Sequence, residues 1–295
     1  MSGARVAFVT FHGLPGLSAD DQLAVTALRA RGATVEAAAW DDALVSWASF
    51  DRIVLRSAWD YHTRPVEFRA WIDRVAPLGT LWNPPGVVRW NMDKRYLLDL
   101  ASRGVRTVPT VCVEGDDARS LVELLATHGW DDVVIKPGIS ASGHETWRAS
   151  RGSAVTHEPR FRAARARGAM LVQPFQREVT ESGEWSLVHI GGEFSHAVVK
   201  RAASGEFRVQ EEHGGTATSE APSAEMLAAA ARALSRVEGP WLYARVDGCM
   251  IGGEFTLMEL EMIEPSLYFA MDQGATERFA NAVLSRLIGS AAPSP

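Results

Sequence analysis

The feature that most constrains the fold is an alternation of short apolar strands with amphipathic helices. Near the start of the chain, Arg5–Thr10, Thr34–Trp40 and Arg52–Arg56 have the apolar, β-branched composition typical of strands. Residues 20–31 carry apolar side chains at helical spacing, and Pro65–Val75 begins with a proline, which favours a first helical turn. Strands and helices that alternate over short connections predict a small parallel α/β domain.

The rest of the chain is predicted to form two further α/β units. Because Pro84 and Pro85 are expected to break any regular element, the first domain is assigned residues 1–88. Residues 89–172 are predicted to hold a helix at 92–102, with Lys94 in its first turn, strands at 110–114, 133–136 and 170–173, a helix at 118–128 and a short Arg-rich helix. Residues 173–295 are predicted to hold strands at 184–190, 192–200, 241–247 and 255–263, helices at 224–237 and 279–288, and a frayed tail at 289–295.

Composition excludes several classes of protein. The 36 acidic and 30 basic residues give a net charge of −6, which argues against broad nucleic-acid binding. No apolar run approaches the ~20 residues of a membrane span, and no basic start followed by an apolar run marks export. Two cysteines are too few for a disulfide scaffold. We therefore expect a cytoplasmic protein.

The basic residues are unevenly divided between arginine and lysine. Only Lys94, Lys136 and Lys200 are lysines, and the other 27 of the 30 basic residues are arginines. An Arg-rich coding bias accounts for the arginines. A lysine that persists against this bias marks a position where a compact ammonium is preferred to a planar guanidinium.

Two short segments near the C-terminus each place two charged side chains on one face of a strand. Arg245 and Asp247, like Glu259 and Glu261, stand at positions i and i+2. The opposite face is predicted to be core, with Val246, Met258, Leu260 and Met262. Three carboxylates on one face repel each other unless a cation joins them, and such hard oxygen ligands suit Mg²⁺. The alternative is a solvated acidic face of an edge hairpin.

The register of this hairpin tests the metal hypothesis. A two-residue turn at Gly252-Gly253 would place Asp247 and Glu259 on opposite faces, since a one-residue slip turns every side chain over. A three-residue loop, Gly252–Glu254, or a bulge of equal effect, would pair Asp247 with Glu259 and Arg245 with Glu261. We predict the longer loop or the bulge.

A loop rich in glycine and serine, 137–150, follows the strand that ends in Lys136. The backbone N–H groups and hydroxyls around Ser140, Ser142 and Gly143 can surround phosphate oxygens. The alternative is a flexible surface hairpin. Neither a Walker A sequence nor G-x-G-x-x-G is present, and there is no G-x-S-x-G elbow or zinc-type His and Cys spacing.

Taken in order, these elements resemble the ATP-grasp superfamily of carboxylate–amine ligases. The motifs that carry the resemblance are Lys94 before a helix, Val134-Ile135-Lys136-Pro137, the Gly/Ser loop, Leu171-Val172-Gln173-Pro174-Phe175, Gly183-Glu184, Lys200, Ala244-Arg245-Val246-Asp247 and Glu259-Leu260-Glu261. All three lysines fall on superfamily positions. The resemblance implies a Rossmann-like N-terminal domain, a small central α+β lid subdomain and a C-terminal α+β subdomain.

The resemblance also implies roles for individual residues. Lys94, Lys136 and Lys200 would contact ATP phosphates beneath a lid containing Ser140, Ser142 and Gly143. Gln173 to Phe175 would hold the adenine, with Glu178 or Glu184 towards the ribose. Asp247, Glu259 and Glu261 would bind Mg²⁺, while Arg245, Lys200 and Arg208 would act on the reacting groups. The sequence departs from the commoner Glu-x-Asn pattern because Glu261 replaces the asparagine.

The substrate-binding segments resemble one branch of the superfamily. Residues 207–215 are similar to the substrate loop of the glutathione synthetase and RimK-like branch, and Arg56–Tyr61, Trp90-Asn91 and Ser195-His196 resemble the cyclo-ligases of D-cycloserine biosynthesis, which close O-ureido-serine. Arg208 and Arg56 are candidate anchors for substrate carboxylates. The resemblance implies an ATP- and Mg²⁺-dependent ligase that forms an acyl phosphate on an amino-acid-derived substrate, with cyclisation favoured.

Two alternatives remain open at this point. One is an intermolecular peptide ligase of the glutathione synthetase and RimK-like kind, and the other is a regulatory protein that binds nucleotide without turnover. The expected partner is a small amino-acid-like molecule, not nucleic acid or a membrane. A homodimer is left open.

Overall fold

The computed structural model describes residues 3–288, and its strands form three sheets. The first unit contains β1 (Arg5–Thr10), α1 (Ala19–Ala30), β2 (Thr34–Ala39), β3 (Arg52–Leu55), α2 (Pro65–Val75), β4 (Leu81–Trp82) and α3 (Pro85–Asn91). Its four strands pair in parallel in the order β2-β1-β3-β4. Ser18 begins α1 by accepting a hydrogen bond from the Asp21 N–H. The parallel α/β unit predicted from the sequence is confirmed.

The second unit is a four-stranded antiparallel sheet with helices. It contains α4 (Tyr96–Ser102), β5 (Val111–Val113), α5 (Leu121–His128), β6 (Asp132–Pro137), β7 (Trp147–Ser150), α6 (Ala154–Arg165) and β8 (Met170–Pro174), with the strands in the order β5-β8-β6-β7. A reciprocal capping box between Ser120 and Glu123 begins α5, later than the predicted start at 118. Strand β8 continues past residue 172, and the predicted domain boundaries remain predictions.

The third unit is a five-stranded antiparallel sheet. It contains α7 (Glu178–Glu181), β9 (Glu184–Ile190), β10 (Glu193–Arg201), β11 (Thr216–Ser219), α8 (Ala224–Leu234), β12 (Tyr243–Ile251), β13 (Glu254–Glu261) and α9 (Ala275–Ile288), with the strands in the order β11-β10-β9-β12-β13. The mixture of parallel and antiparallel sheets agrees with the predicted α/β class. The frayed tail predicted at 289–295 lies outside the described residues.

Two predictions around residues 84–95 are wrong. Pro84 and Pro85 do not end regular structure, because Pro85 is the first residue of α3, where its missing N–H costs nothing. The predicted helix at 92–102 begins only at Tyr96, so Lys94 precedes the helix. The Lys94 N–H donates to the Gly138 carbonyl, 2.7 Å away, which ties this turn to the Gly/Ser loop.

The first and third units share a buried core. Phe8 of β1, Tyr243 of β12 and Phe279 of α9 belong to one apolar cluster, in which α9 packs against α1. Asn83, which is fully buried, accepts from the Leu242 N–H and donates to the carbonyls of Tyr243 and Met262 at 2.6–2.8 Å. The chain segment after β4 is thereby joined to β12 and to the end of β13. No helix of the described part is long and apolar enough to cross a membrane.

Candidate active site

A cavity of about 280 Å³ is lined by side chains from all three units. Most of the site residues predicted from the sequence line it: Lys94, Lys136, Ser140, Ser142, Gly143, Gln173, Phe175, Glu184, Lys200, Arg208, Arg245, Asp247, Glu259 and Glu261. Glu178 does not line the cavity, whereas Glu184, the other candidate for the ribose, does. The predicted residues that line the cavity therefore meet around one space although they lie up to 167 positions apart in the chain, from Lys94 to Glu261.

The register of β12 and β13 brings the predicted charged residues together. Asp247 pairs with Glu259 and Arg245 with Glu261. The predicted three-residue loop is wrong, because Ile251 pairs with Glu254 around a two-residue turn whose glycines both have positive φ. The predicted alternative, a bulge of equal effect, is confirmed.

The bulge has a clear structural cause. Gly248 pairs with Leu257 and Asp247 with Glu259, so Met258 is the extra residue. At Gly248 the two strands approach closely, since a Cβ there would lie 2.4 Å from the Thr256 carbonyl oxygen. Val246, Leu260 and Met262 belong to the core as predicted, but Met258 is displaced to the cavity wall, so its assignment to the core face is wrong.

Asp247 lies at the centre of a network of buried charges. Its carboxylate accepts from Arg245 at 2.8 Å, from the Lys200 Nζ at 3.1 Å and from the Ser186 hydroxyl at 2.7 Å. Burial alone would raise the pKa of Asp247, but Arg245 and Lys200 outweigh burial and lower it. Lys200 also donates to Glu184 at 2.6 Å, and these two carboxylates raise its pKa against the effect of burial. Asp247 and Lys200 are therefore both charged.

The two carboxylates of β13 are held differently. Glu261 accepts from Arg245 at 2.5 Å, yet burial raises its pKa to about 7, with Asp247 and Glu259 adding to the rise. Glu259 forms an ion pair with Lys94; burial would raise the pKa of Glu259, but Lys94 and Lys136 lower it. Lysine and arginine thus offset part of the repulsion predicted among the three carboxylates, and the remainder contributes to the raised pKa of Glu261.

Lys136 differs from the other two lysines. Lys94 and Lys200 are ion-paired, whereas Lys136 forms no ion pair with any residue that the structure describes, although Glu259 and Glu184 are near enough to act on its charge. Burial lowers the pKa of the Lys136 ammonium. The cavity consequently contains a half-buried ammonium that has no counter-ion of its own among the described residues.

Two loops form one wall of the cavity. Ser142 and Gly143, in the loop that follows β6, both have positive φ, and a Cβ on Gly143 would lie 3.3 Å from the Arg208 side chain. Arg208 is held by Glu206 at 2.7 Å. Where the loops meet, Gln210 Oε1 and His213 Nε2 are buried without a hydrogen-bond partner. The predicted phosphate loop and the predicted substrate loop are in direct contact.

The segment predicted to hold the adenine is already engaged in hydrogen bonds. Gln173 donates from its side chain to the Thr110 hydroxyl at 2.8 Å, and the Phe175 N–H donates to the Asp132 carbonyl at 2.9 Å. The Phe175 ring is covered by the Arg148 guanidinium, 3.9 Å from its centroid. An adenine that used the Phe175 N–H would have to displace Asp132.

The structure places Arg56 away from the cavity. Its guanidinium is almost completely buried, donates to Asp21 at 2.8 Å and to the Pro265 carbonyl at 2.8 Å, and lies over the rings of Tyr243 and Phe279. A side chain with these partners cannot reach a substrate carboxylate, so its prediction as an anchor is wrong. Arg208 is the candidate anchor that lines the cavity.

Glu264 received no role from the sequence, although Trp59 and Tyr61 of the same cavity lie in the segment Arg56–Tyr61 that resembles the cyclo-ligases. Glu264 lines the cavity together with Trp59, Tyr61 and Tyr268. Burial raises the pKa of Glu264 to about 8, with Glu261 adding to the rise and Lys94 opposing it. Its position immediately before Pro265, at the end of an acidic strand, was the only signal in the sequence.

The donor set suits a hard divalent cation, but no metal site is preformed. Among residues 3–288, no group of three His, Cys, Asp or Glu side chains is arranged to hold a metal ion. Asp247 and Glu259 nevertheless face each other on paired strands, and carboxylate oxygens are the ligands that Mg²⁺ prefers. The residues therefore fit Mg²⁺, provided that Lys94 leaves Glu259 and Arg245 leaves Glu261.

Both a family model and a known protein that match this chain are of DcsG. Residues 6–83 match the family model of the N-terminal domain of D-cycloserine synthetase DcsG. The chain is 33% identical to the cycloserine biosynthesis protein DcsG of Streptomyces lavendulae over 273 residues, covering 88% of this chain and 91% of that protein.

Solved structures show the same relationship. The crystal structure of D-cycloserine synthetase DcsG superposes with a TM-score of 0.86 at 29% identity, covering 96% of this chain and 99% of that one. A RimK domain ATP-grasp protein from Sphaerobacter thermophilus superposes with a TM-score of 0.70 at 18% identity, covering 95% and 100% of the two chains. The second likeness shows the fold alone.

Proposed function

The chain belongs to the DcsG family of ATP-grasp ligases, and from that membership we propose that it closes an amino-acid-derived substrate into a ring through an acyl phosphate. It is an ATP-dependent enzyme that joins a carboxylate to an amine. The proposed product is cycloserine, as the names of the relatives suggest, and the proposed substrate is O-ureido-serine, which the sequence resemblance implies. An acyl phosphate is proposed because a carboxylate is too poor an electrophile to react with an amine directly.

Lys136 is the observation that carries the nucleotide assignment. A half-buried ammonium whose pKa is lowered by its surroundings gains from a partner of opposite charge, and a phosphate oxygen would supply that charge. We assign Lys94, Lys136 and Lys200 to the phosphates of ATP, with Ser140, Ser142 and Gly143 covering them. Gln173, Phe175 and Glu184 are assigned to the adenosine, since they line the same cavity.

We assign Asp247, Glu259 and Glu261 to Mg²⁺. When bound, the cation would neutralise charge on the transferring phosphoryl group. The ion pairs of the cavity suggest how the chain accommodates both ligands, because Lys94 can exchange Glu259 for a phosphate oxygen. Lys94 and Glu259 would then each keep a partner of opposite sign.

Arg245, Lys200 and Arg208 are assigned to the reacting atoms. Arg245 lies between Asp247 and Glu261 and donates to the Ser266 carbonyl at 3.0 Å, so its guanidinium is fixed where negative charge develops on the phosphoryl and carbonyl oxygens. Arg208 is on the opposing loop, which together with residues 138–146 can exclude water from the acyl phosphate. The oxygen-bound nitrogen of the ureido group then attacks the carbonyl carbon and phosphate leaves. Hydrolysis of the carbamoyl group that remains on this nitrogen releases carbon dioxide and ammonia and gives cycloserine.

The decisive experiment measures ADP release by the purified protein with O-ureido-serine and with a panel of amino acids. We expect ADP release with O-ureido-serine alone, and mass spectrometry should detect a cyclised product although no second substrate was added. A requirement for a second amino acid would favour an intermolecular peptide ligase. Absence of ADP release with every compound would contradict the proposed function.

A further inference from the structure

Glu264 is a buried carboxylate in the cavity wall that none of the proposed roles uses. Its side chain is 8% exposed, and it forms no ion pair with any residue in the described part of the chain. The other buried or half-buried carboxylates of this wall, which are Glu184, Asp247, Glu259 and Glu261, each have a lysine or arginine partner. Glu264 thus resembles Lys136, since each is an ionisable side chain of the cavity wall without an ion-pair partner among the described residues.

The backbone around Glu264 is held in place by three long side chains. Trp59 Nε1 donates to the Glu264 carbonyl at 3.0 Å, Arg56 donates to the Pro265 carbonyl and Arg245 donates to the Ser266 carbonyl. These hydrogen bonds come from different parts of the chain and converge on consecutive residues. The carboxylate is therefore presented to the cavity from a fixed backbone, and its burial cannot be relieved by a small movement of the loop.

The surroundings of Glu264 favour an organic cation as its partner. Trp59, which is bonded to the Glu264 carbonyl, and Tyr61, on which the charge of Glu264 acts, line the same cavity, and aromatic faces attract ammonium groups. A divalent metal ion would need several oxygen ligands, and within the described residues Glu264 belongs to no group of three His, Cys, Asp or Glu side chains arranged for one. A substrate ammonium would bring the counter-charge that the chain itself does not provide.

We propose that Glu264 binds the α-ammonium of the amino-acid substrate and makes the enzyme selective for a free α-amino group. This inference rests on the proposed function for the identity of the substrate. The carboxylate of the substrate would lie towards Arg245 and the phosphates, and the ammonium towards Glu264 and the aromatic side chains. The α-ammonium takes no part in ring closure, so Glu264 is a specificity residue and not a group that acts on the reacting bond.

The test measures kcat/KM of the wild type and of Glu264→Gln for two compounds. One is O-ureido-serine, and the other is 3-(ureidooxy)propanoate, which lacks the α-amino group. We expect the wild type to favour the amino compound at least 30-fold in kcat/KM and Glu264→Gln to favour it less than threefold. The change should arise from a higher KM for the amino compound, while the values for the desamino compound and for ATP remain as in the wild type. Glu193→Gln, at an exposed position, should keep the full preference.

Three results for Glu264→Gln would overturn the inference. These are an equal loss of kcat/KM for both compounds, an unchanged preference for the amino compound, or a higher Mg²⁺ concentration required for activity. Glu264→Asp keeps the charge and should show an intermediate preference, which gives the same test if the glutamine variant does not fold. Calorimetric titration of both compounds, with a non-hydrolysable ATP analogue present, measures the preference without turnover. We expect the wild type to bind the amino compound at least tenfold more tightly than the desamino compound, and Glu264→Gln to bind both equally. This result would support the site even if no ADP were released. Only the proposed function would then be contradicted.

Discussion

Lys200 on β10 and Asp247 on β12 form a buried ion pair of 3.1 Å across the intervening strand β9. Glu184 and Ser186 on β9 complete the arrangement by bonding to the lysine and to the aspartate, respectively. Lys136, by contrast, approaches the same cavity without an ion pair in the described residues. The two lysines are therefore expected to contribute to stability in opposite ways, although both are assigned to the same ligand.

Replacing each of these lysines by methionine should separate their contributions to stability from their contributions to activity. Lys200→Met leaves Glu184 and Asp247 buried with fewer partners and should lower the free energy of unfolding by about 3 kcal/mol. Lys136→Met removes an ammonium that burial already disfavours, so stability should stay the same or rise. Both variants should lose at least 99% of ADP release. Urea unfolding and an ADP assay measure the two effects, and equal destabilisation by both substitutions would contradict this account.

Lys94 is expected to compete with Mg²⁺ for Glu259. Lys94→Met should bind Mg²⁺ in the absence of nucleotide at least fivefold more tightly than the wild type, because Glu259 no longer has an ion-pair partner. Calorimetric titration with Mg²⁺ alone measures this. Arg95→Met removes a neighbouring positive charge that pairs with Asp93 and Glu114 instead, and it serves as the matched control. Weaker Mg²⁺ binding by Lys94→Met would show that Glu259 is not a ligand.

His189 should make the protein less stable in mild acid. Burial lowers the pKa of His189 from its usual 6.5 to about 4. Between these values the unfolded chain binds more protons than the folded one, so the stabilising contribution is complete above pH 6.5 and is lost as the pH falls towards 4. At pH 5 the loss amounts to about 2 kcal/mol.

The corresponding measurement is urea unfolding at pH 7.5 and pH 5. His189→Gln cannot take up the proton and should lose about 2 kcal/mol less than the wild type between the two pH values. His128→Gln changes a histidine at an exposed position and should behave like the wild type. The same pH dependence in all three proteins would show that His189 is not responsible.

Asn83 should be among the residues most important for stability outside the cavity. Asn83→Ala leaves the N–H of Leu242 and the carbonyls of Tyr243 and Met262 buried without their partner, which should cost about 3 kcal/mol or more. Asn281→Ala, which removes an exposed hydrogen bond to Arg31, should cost less than about 0.5 kcal/mol. Thermal unfolding of both variants compares them, and similar midpoints would contradict the role of Asn83.

The sequence predicted the faces of β12 and β13 well because the side-chain period of a strand is two residues and the charged positions follow it. It could not locate the bulge at Met258, since the bulge depends on the close approach of Gly248 to Thr256 on the partner strand. Arg56 was misjudged for a similar reason. Its partner, Asp21, lies on another element, and nothing in the local sequence shows that the two meet.

The sequence predicted more of the cavity residues that we assign to the nucleotide than of those that we assign to the substrate. The three lysines stand out because the composition is so poor in lysine, and each lines the cavity. Glu264 did not stand out among 36 acidic residues, because a carboxylate becomes exceptional only when its burial and its lack of a partner are known. Composition can therefore mark a rare residue type, whereas an ordinary residue type in an unusual environment requires coordinates.

The packing of α9 against α1 has a consequence for synthesis of the protein. Phe279 and its neighbours on α9 complete the apolar cluster that contains Val6 and Phe8 of β1. Because β1 is synthesised long before α9, its apolar face is not fully covered until α9 has also left the ribosome. Domains that fold one after another during translation do not have this problem. We expect nascent chains that end before residue 275 to be recognised by chaperones, and this recognition to cease once α9 has been synthesised and covers β1.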